Sequence, residues 1–291
     1  MTATIATTTR TLEVRGATLT YDVRRNEAST EPPLMLIGSP MGASGFAALA
    51  GYFPERTIVT YDPRGAERSV RTDGASRNTV EEHADDIHRV IEAIGMGPVD
   101  VFASSGGAIN ALALVAAHPE DVRILVAHEP PSSAILPDAD AALAASRDIH
   151  DTYMRSGFGA GMAKFIALTS LTGEIPADWT QRPAPAPAMF GLPAEDDGSR
   201  TDALLGLNMP AIVEYVPDFD ALQAAPTRIV LAAGEESQGQ MANRGAYAVA
   251  HRLGTTPVVF PSHHGGFVDP ASGWGGQPEA FAAKLREVLA G

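Results

Sequence analysis

Short apolar, β-branched runs alternate with longer stretches of helical periodicity through the first 130 residues of the chain. Leu12 to Val14 and Thr18 to Val23 predict an antiparallel pair turned at Arg15-Gly16. Leu34 to Ile37 and Ile58 to Tyr61 are compact apolar runs bounded by Gly, Pro and Asp, which predicts buried strands. Val80, Ala84, Ile87, Ile91 and Ile94 recur at helical spacing between Thr79 and Met96, and Thr79 with Glu82 three residues later forms a capping box. A strand at Val99 to Ala103, a helix from about Gly106 to Ala117 and a strand at Ile124 to Ala127 follow. Such alternation implies an α/β fold with a mostly parallel sheet covered by helices on both faces.

The alternation stops at about Ser133. From there to Val216 only amphipathic helical pieces appear, interrupted by a Pro/Ala stretch at Arg182 to Ala188 and an acidic turn at Glu195 to Ser199. It resumes with a strand at Arg228 to Ala232, a helix from Gly239 to Leu253, a strand at Val258 to Phe260 and a closing helix from Pro278 to Leu289. Strands from both sides must complete one sheet, so the expected organisation is a core of residues 1–132 and 217–291 carrying a helical insertion, 133–216.

Composition narrows the chemistry. The 291 residues include 21 Lys or Arg against 35 Asp or Glu, a formal charge of −14, which argues against nucleic acid as a partner. There is no cysteine, so disulfides, cysteine-ligated metals and thiol nucleophiles are excluded. Met1 to Arg10 has no apolar stretch suited to a signal peptide, and no window reaches the roughly 18–20 apolar residues of a membrane span, so a cytoplasmic location without membrane association is expected. A homodimer remains open as an assembly.

Candidate chemistry begins where the strand Val99 to Ala103 runs into Ser104-Ser105-Gly106-Gly107 and a helix. This strand–turn–helix context suits a nucleophile elbow, whose tightness demands small residues two positions either side of the nucleophile. Ser105 places Ala103 and Gly107 there; Ser104 would place Phe102 in the crowded position. Ser105 is therefore the expected nucleophile. Acyl transfer also needs N–H donors aimed at the developing oxyanion. Gly106, at the start of the helix, and Ser39, in the turn Gly38-Ser39-Pro40-Met41-Gly42, are the expected pair, with Met41 as a fallback because Pro40 cannot donate.

A serine hydroxyl needs a base, and His264, in Pro261-Ser262-His263-His264-Gly265-Gly266, follows the last strand where a base belongs. The acid is less straightforward. The loop after Arg228 to Ala232 reads Gly234-Glu235-Glu236-Ser237, so a serine occupies the usual acid position, three residues after the glycine. Glu235 or Glu236 could serve through a shifted turn. Glu129, leaving the strand Ile124 to Ala127 in His128-Glu129-Pro130-Pro131, is preferred, because a glutamate at that sheet edge is costly unless paired.

Together these residues resemble the α/β-hydrolase superfamily over nearly the whole chain, including Asp62-Pro63-Arg64-Gly65 after the fourth strand. Within it, Ser104-Ser105-Gly106 followed by His128-Glu129-Pro130-Pro131 is similar to the fungal zearalenone lactonases, which place their glutamate after the sixth strand. The resemblance implies that the insertion caps a crevice above Ser105. The insertion is rich in large apolar residues, and because ligand pockets are lined mainly by apolar groups Trp179, beside the Pro/Ala stretch, is a pocket candidate, with Met41 and His128 as two more. The implied activity is serine-dependent hydrolysis of a hydrophobic carboxylic ester or lactone, with no cofactor and no metal. An acyltransferase, a perhydrolase or a C–C bond hydrolase on the same residues, or a non-catalytic binder of small molecules, are the alternatives. Gly157-Phe158-Gly159-Ala160-Gly161 does not follow a strand and lacks dinucleotide spacing.

Overall fold

The computed structural model describes residues 6–273 and 275–291. The first five residues of the Met1 to Arg10 stretch lie outside them. Nine strands form one sheet: β1 (Thr7–Val14), β2 (Ala17–Arg24), β3 (Leu34–Ile37), β4 (Ile58–Tyr61), β5 (Val70–Arg71), β6 (Val99–Ser104), β7 (Val122–His128), β8 (Arg228–Gly234) and β9 (Val258–Phe260). Their order is β1-β2-β4-β3-β6-β7-β8-β9, with β5 paired to β2. β1 and β2 pair antiparallel, and so do β2 and β4; from β4 to β9 every neighbour is parallel. The helices are α1 (Ala47–Gly51), α2 (Val80–Ile94), α3 (Gly106–Ala117), α4 (Ala139–Thr169), α5 (Met209–Glu214), α6 (Phe219–Ala224), α7 (Met241–Arg252) and α8 (Pro278–Ala290).

Pleating sorts the apolar residues of the central strands between two layers. Met35, Ile37, Val101 and Ala103 face a cluster built with α2 and α3, while Leu34, Leu36 and Phe102 face another built with α1 and α8. Burial on both faces explains why these strands read as continuous apolar runs rather than as alternating ones. The capping box at Thr79 and Glu82 is formed, and α2 ends at Gly95 in the left-handed region, φ 63°. The two-residue β5 was not expected; it is too short to carry a periodicity.

Residues 133–216 hold no strand of the sheet, apart from a single bridge joining Thr172 to Gln240. Their largest element, α4, breaks at Gly157 (φ 81°, ψ −175°), where a side chain would run into the Asp196 carboxylate. A separate apolar cluster forms here from Leu136, Ile149, Tyr153, Leu168, Trp179 and Met209, among others. Polar contacts fasten this region to the rest of the molecule on two sides, at α2 and at α7. The Asn208 amide oxygen meets His83 Nε2 at 2.6 Å and accepts from Asn78 Nδ2 at 2.9 Å. On the other side, the Arg244 guanidinium of α7 pairs with Asp138 and donates to the Gly173 carbonyl at 2.7 Å.

One polar residue interrupts the apolar run of β6. Asp100 is fully buried and accepts from Arg56 (2.6 Å) and twice from Arg123 (2.8 and 2.6 Å). Arg56 is itself buried. Asp100→Ala would leave that guanidinium without its counter-charge, so a loss of about 3–5 kcal/mol is expected, measured as a lower midpoint in urea. A loss below about 1 kcal/mol would show that Arg56 is hydrated in the folded state.

Candidate active site

The carboxyl ends of the parallel strands gather the residues expected to do chemistry. Ser105 sits between β6 and α3 with φ 58° and ψ −130°, an unfavourable backbone for a residue with a Cβ. Its N–H donates to the His128 carbonyl (2.9 Å), tying it to the end of β7. The turn tolerates no side chain at the next two positions. A Cβ at Gly106 would lie 2.7 Å from the Ser39 carbonyl oxygen, and one at Gly107 would lie 2.6 Å from that of Ile37. Gly106 therefore packs directly against the Ser39 loop, the two expected oxyanion donors being brought side by side. The Ser39-Pro40 peptide is cis.

Glu129 follows β7 with φ 47° and is fully buried. Its Oε2 meets His264 Nδ1 at 2.7 Å. Its Oε1 accepts from the Gly234 N–H (2.9 Å), Asn243 Nδ2 (3.1 Å) and the Ser237 hydroxyl. Burial opposes the charge, but the hydrogen bond from His264, the neighbouring His128 and His264, and the Ser237 hydroxyl outweigh it. The carboxyl is held well below its ordinary 4.5, at about 2. Glu235 and Glu236, the alternative acids, are exposed and bond elsewhere: Glu235 accepts from the Ser262 N–H (3.4 Å) and Glu236 from Gln277 Nε2 (3.1 Å). The carboxylate on His264 is that of Glu129.

His128 corrects an expectation. It does not line a pocket but is fully buried beneath the site, enclosed by Phe102, Phe260, Phe267 and Phe281. Its Nδ1 meets the Ser104 hydroxyl at 3.0 Å, and its ring lies 5.9 Å from that of His264. Trp179 packs in the apolar core of the insertion, and Met41 is half-buried against the α1–α8 layer.

The donor roles of two side chains, Ser237 and Asn243, escaped sequence reasoning. Ser237 stands where an acid usually would, and it donates to Glu129, the expected acid. Asn243, on the first turn of α7, is 3% exposed, and no local signal marks it.

Other clusters do not compete. A surface cleft of about 430 Å³, lined by Arg25, Pro33, Thr57 and Met96 among others, opens at the amino ends of β3, β4 and β6, away from Ser105. His88, His118 and Asp121 bring three potential ligand atoms within 4.8 Å of one another. However, the two imidazoles stack at 3.8 Å and 8°. An ion cannot lie in both ring planes at once, so the arrangement does not fit a metal.

A model of the alpha/beta hydrolase fold matches residues 34–184. The chain belongs to the α/β-hydrolase fold family. This α/β-hydrolase is 29% identical over 263 residues to an uncharacterized hydrolase, YraK, of Bacillus subtilis, covering 88% of this chain and 89% of that one. Among solved structures it is similar to a thermophilic esterase from Thermogutta terrifontis (19% identity, TM-score 0.64, 94% and 93% of the two chains). It is also similar to the enol-lactonase from Burkholderia xenovorans (15% identity, TM-score 0.64, 97% and 100%). Among the described residues, no helix is long and apolar enough to cross a membrane.

Buried histidines set an acid limit on this hydrolase. Burial pushes both His83 and His128 down from 6.5 to about 4, so both are neutral in the folded protein near neutrality. Between pH 6.5 and 4 the unfolded chain binds these protons and the folded chain does not. Stability is therefore complete above that window and falls through it as pH drops, by about 3 kcal/mol for each histidine. Urea titrations across this range should show the fall, and His128→Phe should remove part of the slope. An unchanged slope would mean that His128 is not held neutral.

Proposed function

We propose that this protein is a serine hydrolase that cleaves a hydrophobic carboxylic ester or lactone through an acyl-enzyme on Ser105. The observation that carries the reading is the 2.7 Å bond from His264 to a buried, multiply clamped Glu129, at the sheet edge where Ser105 forms a strained turn. A neutral imidazole with Nδ1–H on a carboxylate presents Nε2 as a base. Ser105 Oγ attacks the acyl carbon as Nε2 takes its proton, and the N–H groups of Ser39 and Gly106 hold the oxyanion. The resulting imidazolium, stabilised by Glu129, protonates the departing alkoxide. Water, deprotonated by Nε2, then attacks the acyl carbon, and Ser105 leaves with that proton as the acid is released.

The substrate class draws on two supports. The esterase and enol-lactonase just described share the fold, and the insertion places an apolar side chain beside the elbow. Ile212 of α5 reaches the elbow, its Cδ1 3.2 Å from where a Gly106 Cβ would be. The Ser104-Ser105-Gly106 and His128-Glu129-Pro130-Pro131 pattern supports a likeness to the zearalenone-lactonase-like hydrolases.

A panel of aryl esters, short lactones and macrolactones tests the reading. Wild-type protein should hydrolyse at least one class, and Ser105→Ala should lower kcat on the order of 10⁴-fold or more. Glu129→Gln should impair turnover severely, whereas the Glu235→Gln/Glu236→Gln double variant should stay within a few-fold of wild type. Full activity in Ser105→Ala would exclude Ser105 as the nucleophile, and full activity in Glu129→Gln would exclude Glu129 as the acid.

A further inference from the structure

Beneath the elbow lies a polar pair that the chemistry of Ser105 and His264 does not use. Ser104 ends β6 and His128 ends β7, and the two stand opposite each other in the parallel register. The Ser104 hydroxyl meets His128 Nδ1 at 3.0 Å, with Ser104 2% exposed and the imidazole fully buried. His128 Nε2 has no hydrogen-bond partner among the described residues. Phenylalanines surround the ring, Phe281 nearly perpendicular at 5.3 Å and Phe267 at 6.2 Å. An Nε2–H can rest on the face of such a ring, whereas a bare lone pair is not served there. The proton therefore sits on Nε2, and Nδ1 accepts from the Ser104 hydroxyl. An apolar side chain would fill this aromatic cage as well, so a buried polar pair here calls for an explanation. Its neighbours supply one. Ser105 and Glu129, the next residues in the chain, both have positive φ, 58° and 47°. The His128 carbonyl already accepts from the Ser105 N–H (2.9 Å). His128 thus holds the turn of the nucleophile twice, by its carbonyl and by its ring.

We infer that the Ser104–His128 hydrogen bond sets the reach between the Ser105 hydroxyl and the His264 imidazole, so that Ser104 and His128 are positioning residues for proton transfer. The inference rests on reading Ser105 as the nucleophile and His264 as its base. Both side chains are buried and act through the backbone. Ser104 acts through the turn it leads into, and His128 through the strand end from which Glu129 holds His264. Proton transfer needs donor and acceptor at hydrogen-bond distance, and a shift of about 1 Å can cost on the order of 10²-fold in rate. Loss of the brace therefore falls on kcat, while KM stays near its wild-type value.

Two variants separate positioning from packing, because they move rate and stability in opposite directions. Ser104→Ala/His128→Phe removes both partners and leaves an apolar core, which should hold the thermal midpoint close to that of wild type. His128→Asn keeps an acceptor, Oδ1, where Nδ1 stood, but underfills the cage, so its midpoint should fall. The readout is the second-order rate of Ser105 labelling by a fluorophosphonate, which needs nucleophile and base in register whatever the natural substrate. The double variant should label on the order of 10-fold more slowly, and His128→Asn should stay within about three-fold of wild type. On any ester the enzyme turns over, the double variant should lower kcat with little change in KM. Labelling of the double variant within about three-fold of wild type would overturn the inference and leave the Ser105 reading intact. So would labelling that follows the midpoint, slower in His128→Asn than in the double variant. Should the double variant not fold, Ser104→Ala decides on the same thresholds. Failure of the wild-type protein to label at Ser105 would overturn both.

Discussion

The hydrogen bond between His264 and the buried carboxylate of Glu129 is the contact on which the rest of the site depends. A glutamate with no exposed surface would be expelled or protonated unless every lone pair were occupied. Here the acceptor sites are filled from four separate segments: the end of β8, the loop that follows it, the first turn of α7 and the histidine loop. Each donor holds the charge, and the charge in turn fixes each donor. The carboxylate therefore links the carboxyl ends of β7, β8 and β9 into one arrangement, with His264 at its edge.

Backbone strain marks the same edge. Ser105, Glu129 and Ser262 are all non-glycine residues at positive φ, and they follow β6, β7 and β9. Each such conformation costs about 1–3 kcal/mol and persists only where surrounding contacts determine it. The contacts are visible: Ser105 N–H on the His128 carbonyl, Glu129 N–H on the Ala232 carbonyl, and Glu236 N–H on the Ser262 carbonyl. The strained residues are thus cross-linked through the backbone of neighbouring strands. The Ser104–His128 contact beneath them adds a side-chain brace enclosed by four phenylalanines.

Much of this was legible in the sequence because it is local. The run Val99 to Gly107 encodes its own strand, turn and helix, and the crowding that singles out Ser105 depends only on residues two positions away. The capping box of α2 and the buried strands are readable for the same reason. What could not be read was long-range. Asn243 lies 114 positions from the glutamate to which it donates, and nothing nearby distinguishes it from any asparagine at the start of a helix. Ser237 drew notice only as a missing carboxylate. Its role as a donor emerges once β7 and β8 are placed side by side. The burial of His128 could not be read either. The inward side of β7 and the phenylalanines that meet it are settled by packing alone.

The site turns most directly on which carboxylate His264 uses, and proton NMR can answer that without a substrate. A Nδ1 proton shared with a buried carboxylate resonates far downfield of ordinary imidazole protons. Such a resonance is expected in the wild-type protein, with its loss in Glu129→Gln and its persistence in the Glu235→Gln/Glu236→Gln double variant. A resonance that survives in folded Glu129→Gln and vanishes from the double variant would contradict the pairing of His264 with Glu129.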